Sequence, residues 1–425
     1  MKDYTRTARK ITTLLFLAQS LGSAGFIAAF TVNAIVGADL SGRSALAGLP
    51  SAVYVLGGAL AALGWGYTMD RIGRRNGLVS GLAVGVVGAG VAGSAVVMRS
   101  FPIFLGGLAL MGIANAALQL GRFAAAEVHH PTERGRAISN VVLGGTAGAI
   151  FGPLMVGPTG QWARQAGLTE LAGPYSVGLT LFAVAAVMLF LGLRPDPRDL
   201  GREIANLYPD ALPHAGPARS LPQILREPGV VVAMGSVVFA QMVMTMLMVI
   251  TSLHMKAHGH PLDAISLVIT SHTIGMYAFS ILSGRLTDRW GRGPVILAGS
   301  ATMLLSCLLA PLSTDFWLLA IALFLLGLGW NFAYVGGSTL LADQLSPAER
   351  ARTQGFNDLL LGLASATGSL GSGVVFATAG YGAMAAVGAV VSLIPLGLSL
   401  WWLQGRQRQL LNQQPGHLAA EDSCR

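Results

Sequence analysis

The side chains best suited to do chemistry in this chain are four soft ligands at regular spacing. Met244 and Met248 stand four apart, as do His272 and Met276, and residues four apart on an α-helix share a face. Thioether and imidazole suit Cu(I) far better than Mg, Ca or Mn, which take oxygen. Counted from the outer ends of their apolar segments, Met244 is about 14 Å deep and His272 about 15 Å, with Met248 roughly 8 Å and Met276 roughly 21 Å down. The four therefore form a ladder along a path. His272 is the one ionisable side chain near the middle of an apolar run, where a functional role is the first hypothesis. Between the two segments, His254, His258 and His260 are candidates for capturing metal at the outer mouth. A second set is polar and uncharged: Gln19, Asn115, Gln119, Gln241 and Asn331 lie deep in apolar runs as candidate cavity residues. Each has a plainer reading. Methionine fills gaps, deep amides bond neighbouring helices, and loop histidines are solvated. No nucleophile–base constellation and no nucleotide-binding glycine loop occurs, so neither an enzyme nor an ATP-driven pump is expected.

Composition sets the elements that must position these residues. Hydrophobic residues make up 53% of the 425 and charged residues only 11%, with mean hydropathy +0.62. Soluble domains carry about 25% charged residues, so this chain could not cover a water-exposed surface. A bilayer core about 30 Å thick needs roughly 20 apolar residues per helix. Runs of that length predict spans near 11–38, 45–67, 77–98, 102–126, 137–163 and 174–193, then 228–253, 262–283, 294–312, 315–342, 353–379 and 381–403. Residues 1–193 and 228–404 thus form two six-helix halves, joined by a polar linker at 194–227 and followed by a tail at 405–425. The first span has no small-residue cleavage site after it and reads as a retained helix. Cys307 and Cys424 are not expected to meet.

The net charge of +8 does not indicate nucleic acid. All but four of the 27 Lys and Arg residues, the exceptions being Arg43, Arg99, Arg164 and Lys256, fall on one face. By the positive-inside rule that face is cytoplasmic and holds both termini.

The halves repeat. Gly66-x-x-x-Asp70-Arg71-x-Gly73-Arg74 recurs as Gly284-x-x-x-Asp288-Arg289-x-Gly291-Arg292, and Glu127-x-x-x-Pro131-x-Glu133-Arg134-x-Arg136 recurs as Asp343-x-x-x-Pro347-x-Glu349-Arg350-x-Arg352. Two motifs at nearly one offset indicate internal duplication, and paired six-helix repeats imply a path between the halves opened by rocking. The first motif reads as a tight loop whose glycine permits close helix approach and whose Asp can face a helix N-terminus. It resembles the signature of the major facilitator superfamily, which implies an all-α membrane fold of twelve helices in two pseudo-symmetric halves. The resemblance also implies gating roles for Asp70, Arg71, Arg74, Asp288, Arg289 and Arg292; the alternative is a simple topology anchor. Gly148-x-x-x-Gly152-Pro153-x-x-x-Gly157 looks like the antiporter signature of that superfamily, although Val156 replaces one glycine and Leu108 stands where a basic residue is usual.

Met-x-x-x-Met followed by His-x-x-x-Met resembles the CcoA-type copper importers of bacterial inner membranes, supported by His254-Met255-x-x-His258-Gly259 and Gly329-Trp330-Asn331-Phe332. The resemblance implies copper as transported substrate, with Met244, Met248, His272 and Met276 as its ligands, no resident cofactor, and a copper acceptor serving cytochrome oxidase assembly. The alternative is a carrier of an organic solute, either a drug or metabolite exporter or a riboflavin-like vitamin importer. A scaffold or sensor is disfavoured, because linker and tail are too short for a partner domain.

Overall fold

A computed structural model describes residues 4–130, 133–207 and 219–413. Lys2, Pro131, Pro209, Pro213, Pro217, Cys424 and Arg425 lie outside the described residues. The chain is helical nearly throughout, as an apolar slab requires when no solvent is present to bond peptide groups. The helices of the first half are α1 (Tyr4–Ser41), α2 (Leu49–Ile72), α3 (Arg74–Val97), α4 (Phe101–Gln119), α5 (Gly121–Glu127), α6 (Arg134–Leu154), α7 (Val156–Gln165) and α8 (Gly173–Gly192). The linker contributes α9 (Pro197–Leu207) and α10 (Leu221–Ile224). The second half has α11 (Pro228–Ala257), α12 (Leu262–Tyr277), α13 (Ser280–Trp290), α14 (Arg292–Leu309), α15 (Phe316–Asp343) and α16 (Pro347–Gln413).

Among the described residues, eleven helical stretches are long and apolar enough to cross a membrane, and the last, Arg352–Gly405, has 54 residues. At 1.5 Å per residue it would reach about 80 Å, more than twice the bilayer core. Gly380 divides it, with φ +81°, a conformation open to glycine and costly for other residues. The spans expected at 353–379 and 381–403 are these two arms. Three other crossings are broken: α4 passes into α5 at Leu120, α6 into α7 at Met155 just after Pro153, and α12 into α13 at Ala278–Phe279. The glycines before Pro153 serve packing. A Cβ on Gly152 would lie 2.6 Å from the Ala24 carbonyl, and Gly144 and Gly148 meet the α1 backbone equally closely.

The duplication is written in the backbone. Gly73 and Gly291 both close their second-helix loops with positive φ, +92° and +89°. The two loop motifs join within each half: Arg74 Nη2 meets Glu127 Oε1 at 2.7 Å, and Arg292 Nε meets Asp343 Oδ2 at 2.8 Å. Two details differ from the sequence reading. The carboxylate at the start of α3 belongs to Asp196 of the linker, which accepts from the backbone N–H groups of Arg74 (3.1 Å) and Arg75 (3.0 Å); Asp70 instead pairs with Arg74 Nη1 at 2.7 Å. Gly66 and Gly284 have nothing within 4 Å of an added Cβ, so close approach is not their role here. Arg71 stacks over Tyr67, 4.3 Å from the ring centroid. The side chains of Asp288 and Arg289 form no ion pair or hydrogen bond among the described residues.

The halves meet through α1 with α11, α2 with α16, and α6 and α7 with α12. Their contact is closed at the face opposite the arginine-rich one. There Lys256 Nζ binds Glu170 Oε1 at 2.6 Å, Arg164 binds the same carboxylate at 3.0 Å, and Gln161 Nε2 donates to Asp263 Oδ2 at 2.9 Å. Ser369 Oγ also donates to the Gly48 carbonyl at 2.7 Å. At the arginine-rich face the ion pairs among described residues each stay within one half, within the linker, or between the linker and one half, as Arg219 Nε binds Glu349 Oε1 at 2.8 Å.

Arg219, first among the causes, and the Ser346 N–H hold the Glu349 carboxyl well below the usual carboxylate range. A depressed folded-state value means that the pair stabilises fully above the ordinary carboxylate pKa and is lost as pH falls through the folded value. Glu349→Gln should therefore lower the thermal midpoint of the detergent-solubilised protein at neutral pH. The gap to wild type should narrow below about pH 4. A gap that is constant down to strong acid would show that the charge on Glu349 is irrelevant.

Candidate substrate cavity

Between the halves, on the arginine-rich side of their closed contact, lies a cavity of about 320 Å³, within the range of small-molecule sites. A larger hollow of about 700 Å³, beside Arg292, Asp343 and Trp402, belongs to the second half alone and cannot be a path between halves. The central cavity takes Gln19, Phe26 and Tyr54 from α1 and α2, Asn115, Gln119 and Arg122 from α4 and α5, and Tyr277, Trp330 and Tyr334 from the second half. Its walls thus combine aromatic rings from both halves with amides from the first.

The rings are held in register from behind. Trp330 and Tyr334 stand four apart on α15 and stack at 4.7 Å and 18°, while Tyr277 meets Trp330 edge-on at 6.3 Å. Trp330 Nε1 donates to Gln241 Oε1 at 2.8 Å, and Gln241 Nε2 donates to Ser365 Oγ at 2.7 Å. Across the cavity, Phe26 packs edge-on against Tyr54 at 5.7 Å.

Three of the five expected cavity amides, Gln19, Asn115 and Gln119, line the cavity; Gln241 and Asn331 do not. Gln241 stands behind Trp330. Asn331 repairs a helix break: its Nδ2 donates to the Met276 carbonyl at 2.5 Å and to Ser280 Oγ at 2.9 Å, and Ser283 Oγ donates to its Oδ1. The plainer reading, interhelical bonding, describes both. Arg122, by sequence one of the cations that flank the spans, enters the lining as well; it continues the Asn115, Gln119 stripe by three residues, a spacing that keeps one helix face. The rings at Tyr277, Trp330 and Tyr334 line the cavity in addition to the expected residues. Their only sequence signal is the i, i+4 pair on α15.

The soft ligands lie elsewhere. Met244, Met248 and Met276 are nearly buried and His272 is 0% exposed, and none of them lines the central cavity. His272 and Met276 sit where α12 packs on α15, their backbone against Gly327. His272 Nδ1 lies 2.9 Å from the Leu323 carbonyl. A carbonyl can only accept, so Nδ1 donates and the lone pair is on Nε2, which is buried without a partner. Met242 and Met246 face the α16 backbone at Gly368, as packing residues. His254 is buried on α11 and stacks on Tyr381 at 4.0 Å and 8°. His258 Nδ1 lies 2.8 Å from the His254 carbonyl and His260 Nε2 lies 2.8 Å from the Thr314 carbonyl. Among the described residues no group of three or more His, Cys, Asp or Glu could hold a metal, so a copper site would rest on thioethers and His272.

Gln241→Leu leaves the Trp330 indole N–H without an acceptor in an apolar interior, a cost of about 1–3 kcal/mol. Adding Trp330→Phe removes the orphaned donor and should recover most of the lost stability. Thermal unfolding of both variants checks this; a double variant no more stable than the single one would show that the bond to Gln241 does not hold the ring.

The sequence pattern of the Major Facilitator Superfamily matches residues 14–259 and 233–421. The uncharacterized MFS-type transporter YdeG of Bacillus subtilis (strain 168) is 36% identical over 390 residues, 91% of this chain and 90% of that protein. The riboflavin transporter RfnT of Brucella anthropi is 32% identical over 365 residues, 85% of this chain and 87% of that protein. Among solved structures, a D-xylose-proton symporter superimposes with TM-score 0.69 at 15% identity, covering 91% of this chain and 96% of that one, which speaks to fold alone. With twelve apolar crossings in two repeats around a central cavity, this chain is a multi-pass membrane transporter that belongs to the Major Facilitator Superfamily.

Proposed function

We propose that this transporter carries a planar, ring-bearing organic solute of the riboflavin class across a bacterial cytoplasmic membrane. The observation that carries this reading is the cavity lining, which brings Phe26, Tyr54, Tyr277, Trp330 and Tyr334 together with Gln19, Asn115 and Gln119. Rings offer flat apolar area for stacking, and amides supply donors and acceptors that fix orientation. The 32% identity to a riboflavin transporter supports the same solute class. The arginine-rich face is the cytoplasmic one, so the cavity stands open inward and closed at the Lys256–Glu170 contact. Rocking of the two halves, residues 1–193 and 228–404, would alternate its access. In a riboflavin auxotroph without a flavin carrier, the chain should restore uptake of labelled riboflavin, and Trp330→Ala should reduce it about tenfold at low riboflavin. Uptake no greater than in cells without the protein would overturn the reading.

A second reading, copper import, is favoured by one specific observation. His272 presents an unpartnered Nε2 lone pair in a buried position, with Met244, Met248 and Met276 on its own or a neighbouring helix. A neutral imidazole and neutral thioethers bind Cu(I) without first losing a proton. Accumulation of ⁶⁴Cu that depends on the protein and vanishes in His272→Ala would establish copper as the cargo. Equal accumulation in wild type, His272→Ala and cells without the protein would remove it.

A further inference from the structure

Arg122 differs from the arginines that hold carboxylates at this face, and unlike Arg134, whose Nε is also buried without a partner, it lines the central cavity. Arg74 is paired with Glu127 and Asp70, Arg292 with Asp343, and Arg219 with Glu349. Arg122 forms no ion pair among the described residues; its guanidinium lies over the Phe123 ring, 4.9 Å from the centroid, and its Nε is buried without a hydrogen-bond partner. Glu127, further along the same short helix, is committed to Arg74. Asp358 of α16 lies within electrostatic range of Tyr334, as Arg122 does. That acid is exposed, accepts from Gln354 Nε2 at 2.9 Å, and is not part of the lining.

Every other named wall residue is an amide, a hydroxyl, a ring or an aliphatic group. The cavity therefore holds one fixed positive charge and no acid. In a cleft with low-dielectric walls a single sign of charge sets which solutes enter. A guanidinium carries its donors in a planar fork that matches two acceptors held side by side, such as a carboxylate or a pair of ring carbonyls. A buried donor without a partner calls for an explanation, and here its residue lines the central cavity between the halves.

We infer that Arg122 is the specificity-determining residue of the central cavity, receiving the acceptor-rich edge of the solute. Resting on the organic-solute reading above, this narrows the solute class to neutral or anionic planar heteroaromatics with two adjacent acceptors, and it excludes planar cations. Copper ions fall on the excluded side of this cavity. Asn115 and Gln119, on the same helix stripe, complete a donor-bearing wall opposite Trp330 and Tyr334.

Full-length protein in nanodiscs is titrated with three tricyclic probes read by their own fluorescence: neutral lumiflavin, anionic acridine-9-carboxylate and cationic proflavine. Wild type should bind the first two at least about tenfold more tightly than proflavine. Arg122→Gln should lose about tenfold for the carboxylate while proflavine binding stays unchanged or improves, and Arg122→Glu should invert the order in favour of proflavine. Arg122→Lys should keep the preference for the carboxylate and weaken lumiflavin, because an ammonium lacks the fork. The ratio within each variant does not depend on how much protein is folded. An order of preference unchanged in Arg122→Gln and Arg122→Glu overturns the role of Arg122 while leaving the solute reading intact. A wild type that binds none of the three probes overturns both.

Discussion

A peptide group inside an apolar slab has no water to bond, and this constraint shapes the rest of the molecule. It makes the chain helical almost throughout and makes every interruption of a helix an event that needs a partner. At the break between α12 and α13, Asn331 reaches from α15 to the Met276 carbonyl and the Ser280 hydroxyl. At the turn between the two arms of α16, Gly380 adopts a conformation that suits no side chain. The breaks also shape the site. The interruption at Leu120 lies between Gln119 and Arg122, and that at Ala278 follows Tyr277, so cavity-lining residues flank the points where two helices are discontinuous.

Charge is confined to the ends of this slab, and its arrangement differs between the faces. On the arginine-rich face, Arg74–Glu127 and Arg292–Asp343 bind the loop after the second crossing of each half to the end of its fourth. The Asp196 carboxylate adds the linker to the first half by capping α3. On the opposite face, Lys256, Arg164 and Glu170 converge across the halves. Charges thus stiffen each half on one side and join the halves on the other. Exposed ion pairs contribute at most about 1 kcal/mol each, so such a contact can close the molecule and still be exchanged during rocking.

The candidate sites differ in kind. The cavity has volume, flat rings and bonded supports behind them, with Gln241 fixing Trp330. The soft-ligand set has chemistry but lies outside that cavity: His272 faces α15, and the methionines are packed into the core. Organic solutes need the first arrangement, whereas a single ion can pass through the second. That is why the cavity supports the leading proposal and His272 the other.

Much of the architecture was legible in the chain itself. Twelve apolar runs and two doubled loop motifs determine the number of crossings and their pairing, because desolvation acts on local composition. The spacing of Asn115 and Gln119 placed two lining residues, and Gln19 followed from its depth. Partnership was not legible. Nothing local says that Asp196, 122 residues from Arg74, caps α3, that Gln241 and Asn331 turn away from the cavity, or that Arg122 turns toward it while Arg74 and Arg292 find carboxylates. Depth along a helix is read from counting residues; which neighbour a side chain meets depends on helix rotation and on breaks. Only the packed bundle fixes those, since they arise from contacts between segments far apart in sequence.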